Sequence, residues 1–132
     1  MNDKEQLIKI IKTFFDIGKN KKLHLLYDIQ LQDSIFSSFS DMRPKDLKDF
    51  STTIALEELR FVNISDYDYQ LQNIKISLLD NFAVAAFELY QHGLLVDDTV
   101  YSCKNVSSHI RVTFVFFKKP KWKIVHIHMS DF

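Results

Sequence analysis

Residues 107–130 read SSHIRVTFVFFKKPKWKIVHIHMS. Two runs of β-branched and aromatic residues flank the basic tip Lys118-Lys119-Pro120-Lys121, the pattern of a β-hairpin. Successive strand residues face opposite sides. The first arm therefore sets Ile110, Val112, Phe114 and Phe116 against Arg111, Thr113, Val115 and Phe117. Both sets are mostly apolar, so the sheet is expected to be covered on both sides. On the second arm Trp122, Ile124, His126 and His128 share one face, and Lys123, Val125, Ile127 and Met129 the other.

Working outward, alternation persists from Asn63 to the end and predicts strands at about 66–79, 82–96, 99–118 and 121–130. Asp80-Asn81 fits a two-residue turn, and Gly93 a bulge or bend. The first half is helical. Asn2 and Glu5 form a capping-box pattern for a helix over 3–17, with Leu7, Ile11, Phe14 and Phe15 inward and Gly18 as its stop. A short helix over 19–28, a short strand over 34–37, an irregular stretch over 40–50 and a helix over 51–61 follow. The last is expected to bury Ile54, Ala55, Leu59 and Val62, with Glu57 and Glu58 outward. Helices first and long strands afterwards indicate an α+β fold, read as a single domain over 1–132.

Composition excludes several classes. Lys+Arg and Asp+Glu both number 17, so nothing points to nucleic acid or an anionic membrane. The one cysteine, Cys103, excludes an intrachain disulfide and a cysteine metal cluster. Two glycines leave no phosphate-binding glycine loop. The polar N-terminus lacks the apolar run of a signal peptide, and no stretch has the length of a membrane span, so a cytoplasmic location is expected.

The element order, together with Arg111-Val112-Thr113 and the closing run Trp122 to Ser130, resembles the cone-shaped nuclear-transport-factor-like fold. That superfamily includes ketosteroid isomerases, scytalone dehydratase and SnoaL-like proteins. The ending is similar to the SnoaL-like branch that contains the calmodulin-dependent kinase association domain. Phe39-Ser40-Asp41 and Leu59-Arg60-Phe61 also resemble members of that branch. One departure is the hairpin tip, which usually turns through Asp-Gly in the family and here carries Lys119-Pro120.

The resemblance implies a cone of curved antiparallel sheet around N-terminal helices, with an internal pocket. It places Arg111 in that pocket; alternation puts Thr113 on the same face, a C-terminal histidine, His126 or His128, is expected near, and Tyr90 and Phe36 are expected to bind the ligand with them. Internal pairing of Arg111 with a carboxylate such as Glu88, or a strand-end position that reaches water, is the alternative. The His126-x-His128 spacing could serve a metal only with a third ligand that the sequence does not identify, so no metal or other cofactor is expected. Isomerase chemistry needs a carboxylate base, but the matching position falls at about Ser38, and no carboxylate lies between Ser34 and Ser40. These features support a homodimeric ligand-binding or sensing domain whose pocket takes a small organic acid or apolar ligand. A lyase- or isomerase-type enzyme using pocket histidines and acids, and an oligomerising scaffold, are the alternatives.

Overall fold

The structure is a computed structural model that describes residues 1–41, 44–97 and 99–132, with Asp97 described in its backbone alone. Among the described residues three helices, α1 (Asp3–Asn20), α2 (Leu25–Ile29) and α3 (Phe50–Asn63), pack against one five-stranded sheet. Its strands are β1 (Ser37–Ser40), β2 (Ile64–Leu79), β3 (Phe82–Asp97), β4 (Ser102–Lys118) and β5 (Trp122–Asp131), in the order β1-β5-β4-β3-β2. β1 runs parallel to β5, and the other pairs are antiparallel. The α+β cone architecture read from the sequence is the one observed. Part of the stretch over 40–50 lies outside the described residues.

α1 starts where expected: the Asn2 side chain accepts from the Glu5 amide at 2.8 Å. It does not stop at Gly18 but continues to Asn20, with Lys21 as the left-handed cap at φ 62°. Gly18 is needed for close approach, because a Cβ there would meet Tyr67 Cδ2 at 2.5 Å. The short strand begins at Ser37, later than expected, and α3 begins at Phe50 with Asp49 as its cap, accepting from the Thr52 amide at 2.9 Å.

Three register shifts curve the sheet. β2 gains one residue between Ser65 and Asp68 and another between Gln72 and Lys75, with Asp66 and Asn73 at positive φ. The bulge expected at Gly93 is thus carried by the opposite strand. Gly93 itself is where β2 comes close, as a Cβ there would meet Ile64 Cγ1 at 2.8 Å. The third shift, between Val115 and Phe116, adds a residue to β5. Such extra residues bend and twist their strand.

The concave face holds the core. Ile110, Val112, Phe114 and Phe116 of β4 are buried beside Leu7, Ile11, Phe14 and Phe15 of α1. Phe14 and Phe114 meet edge-to-face at 5.3 Å, and Phe87 and Phe114 at 5.4 Å, geometry that adds to the area buried. Asp3 at the start of α1 ties the hairpin down: it accepts from Trp122 Nε1 at 2.9 Å and pairs with Lys118 at 3.2 Å. These donors hold the Asp3 carboxyl below its ordinary range.

Candidate functional site

The face of β4 that carries Arg111 is the outer one. Arg111 is exposed, donates from Nη2 to the Asp131 carbonyl at 2.9 Å and lies 5.4 Å from the Phe132 ring. Thr113, His126 and His128 share this outer face, since Thr113 pairs with His128 and Val115 with His126. Tyr90 is also outside, stacked on His109 at 3.8 Å. Phe36 is buried in the core against Phe50 at 5.4 Å. Arg111, Thr113 and the two histidines share one sheet face, but none of the six residues lines either of the two cavities described below. The pairing of faces was reversed because Ile110, Val112, Phe114 and Phe116 bury more apolar volume than a face carrying a guanidinium. The bulge in β5 then turns Trp122 and Ile124 inward with Ile127 while both histidines point out.

The larger cavity, about 330 Å³, opens between α3, α1 and the strands β1, β3 and β5. Phe14, Phe15, Phe39, Phe61, Leu56 and Ile127 make its wall largely apolar. Into this wall α3 sends Thr53, Glu57 and Arg60, and Lys48 and Ser38 close the side towards β1. Ser38 and Thr53 hydroxyls bond each other at 2.7 Å.

The orientation of α3 differs from the expected one. Phe50, Ile54 and Phe61 are buried, while Ala55, Leu59 and Val62 are exposed. Glu57 follows Ile54 by three residues and precedes Phe61 by four, so anchoring the helix on its two phenylalanines turns Glu57 inward. Arg60, one turn later, faces the same cavity. A helical wheel centred on Phe50 and Phe61 instead of Leu59 and Val62 would have shown this.

Glu57 is a half-buried carboxyl whose Oε2 accepts from Gln30 Nε2 at 2.7 Å. Burial pushes its pKa up to about 8; the Gln30 hydrogen bond and the Arg60 charge pull the other way and offset only part of that. Burial also lowers the Arg60 guanidinium from its ordinary value. Among the described residues that guanidinium makes no hydrogen bond and no ion pair.

A second cavity of about 220 Å³ adjoins the first and shares Ser40, Arg60, Gln91, Leu95 and Met129 with it. Gln91, buried in the shared wall, accepts from the Tyr67 hydroxyl at 2.8 Å and donates to Ser108 at 3.1 Å. His92 lines the second cavity. No group of three or more His, Cys, Asp or Glu among the described residues could hold a metal ion. No helix among them is long and apolar enough to cross a membrane.

No protein-family model and no curated protein sequence matches the chain. Solved structures do. An NTF2-like superfamily protein from Salmonella enterica is 19% identical with a TM-score of 0.80, covering 97% of this chain and 89% of its own. An NTF2-like family protein from Streptomyces avermitilis is 17% identical with a TM-score of 0.82, covering 98% and 97%. The association domain of C. elegans CaMKII is 16% identical with a TM-score of 0.69, covering 96% and 94%. At these identities the likeness is one of fold, and the fold of this chain is that of the NTF2-like superfamily.

Proposed function

We propose that this protein is a small-ligand-binding module whose cavity takes an organic acid with an apolar body, the carboxylate resting on Arg60. The observation that supports this is a guanidinium in a mainly phenylalanine and leucine wall with no hydrogen bond and no ion pair among the described residues. Arg60 is half-buried, and a charge drawn partly out of water without a hydrogen-bonded counter-ion is costly in general, so its retention is understandable if a ligand completes it. A guanidinium presents a planar fork of donors that matches a carboxylate, and low-polarity walls strengthen the contact. Arg60 thus takes the role that the sequence assigned to Arg111.

A thermal-shift screen of small organic acids tests the reading. Wild type should gain melting temperature with acids of suitable size. Arg60→Met should lose that gain without losing its own stability, since an unpaired charge is replaced by an apolar chain of similar length. Absence of any acid-dependent shift in wild type, or an undiminished shift in the variant, would overturn the proposal.

Self-association as a homodimer across the outer sheet face completes the reading. It is supported by the exposure there of Phe82, Val84 and Tyr90, at 48%, 41% and 38%, because apolar patches of this kind mark interaction sites.

A further inference from the structure

The cavity's second polar group, Glu57, extends the reading just given and rests on it. The Gln30 amide is oriented by two acceptors: its Nε2 donates to the Leu26 carbonyl at 3.2 Å and to Glu57 Oε2 at 2.7 Å. An amide oxygen in that position would face the Leu26 carbonyl, so the nitrogen belongs there. It follows that Glu57 Oε2 is an acceptor. When Glu57 is protonated, its proton therefore sits on Oε1, which has no hydrogen-bond partner among the described residues. Glu57 and Arg60 stand one turn apart on the helix face that lines the cavity.

We infer that Glu57 is a second ligand-binding group: as a neutral carboxyl it donates from Oε1 to the same anion that Arg60 holds, so the cavity takes up an acid anion together with a proton. The alternative state, an ionised Glu57, would place two carboxylates in one largely apolar chamber beside Arg60, and their repulsion would weaken binding. The surroundings favour the neutral form. Among the described residues lining this chamber, the only other charged side chains are Arg60 and Lys48. α1 contributes Phe14 and Phe15, β3 contributes Gln91 and Leu95, and β5 contributes Ile127 and Met129, none of them titratable in this range. Gln30, after α2, is a neutral amide, and Glu58, beside Glu57 on α3, adds negative charge that disfavours ionisation further. The tendency of the carboxyl to remain protonated up to about pH 8 agrees with this geometry. The ligand class is thereby narrowed to amphipathic monoanions able to accept two kinds of donor, and cationic analogues are disfavoured by the Arg60 charge.

The test is isothermal titration of octanoate and 3-phenylpropanoate into the full chain between pH 6.5 and 9.5, repeated at the alkaline end in buffers of different ionisation enthalpy. Wild-type affinity should hold at lower pH and fall by about tenfold per pH unit above the Glu57 transition. Binding there should take up close to one proton. Glu57→Gln keeps a donor and has no proton to lose, so its affinity should be flat and its proton uptake nil. If either acid binds wild type with the same affinity throughout and without proton uptake, the inference fails while the ligand-binding reading stands. An equal alkaline loss in Glu57→Gln also overturns it, since another group would then be titrating. Failure of both acids to bind at any pH removes the ligand-binding reading itself. Should the variant not fold, the wild-type proton count decides alone.

Discussion

The ring of Tyr67 packs against Gly18, so close that an added Cβ would sit 2.5 Å from Cδ2 and 2.8 Å from Cε2. In an ordinary helix, replacing glycine by alanine gains up to about 1 kcal/mol. Here Gly18→Ala should instead destabilise by roughly 1–3 kcal/mol, the usual cost of overpacking a filled site. Urea denaturation decides the sign, and a stabilised variant would mean that Tyr67 moves aside freely.

Lys21 closes α1 and reaches across to the end of α3, where its ammonium donates to the Phe61 carbonyl at 2.6 Å and to the Ile64 carbonyl. Helix carbonyls at a C-terminus favour a cation. Lys21→Met keeps the aliphatic stem and removes the charge. A loss of about 1–2 kcal/mol is expected in chemical denaturation, and an unchanged midpoint would show that solvent satisfies those carbonyls equally well.

Glu57 makes stability depend on pH in a definite direction. Its folded value of about 8 lies above the ordinary 4.5, so the folded chain binds the proton more tightly than the unfolded chain does. The resulting stabilisation is fully present below about pH 4.5 and is lost as pH rises through 8. Glu57→Gln should therefore match wild type in acid and exceed it in stability at pH 9 by on the order of a few kcal/mol, read as a higher melting temperature. Equal melting temperatures of the two proteins at pH 9 would show that the carboxyl ionises without penalty.

Arg111 should matter little to the cavity. On the outer face it holds the end of β5 through the Asp131 carbonyl, an exposed contact of the kind that contributes about 0–1 kcal/mol. Arg111→Met is expected to leave acid-dependent thermal shifts intact, whereas Arg60→Met abolishes them. The reverse result would return the ligand to the outer face.

Light scattering should give twice the monomer mass of 15.6 kDa at micromolar concentration. A charge at Val84, exposed on the outer face, should reduce that mass towards the monomer value; Val84→Glu is the variant to use. A monomeric wild type ends the dimer proposal.

The sequence by itself determined the element order and most of the strand limits. Period-two alternation of Val, Ile and Phe has one low-energy reading, and the Asn2 cap and the Asp80-Asn81 turn act through neighbours in the chain. Resemblance in the last hairpin was enough for the cone fold. The choice of faces belonged to the tertiary structure. A single extra residue in β5 exchanges the sides of every residue beyond it, and no local preference of Ile124 or Val125 announces it. Glu57 and Arg60 were hidden for a related reason. α3 carries two apolar stripes, and only the fit of Phe50 and Phe61 into the core between α1 and the sheet decides which one is buried. That fit leaves Leu59 and Val62 in water and sends a carboxyl and a guanidinium to the cavity, because the two large rings bury more apolar surface than the stripe they displace.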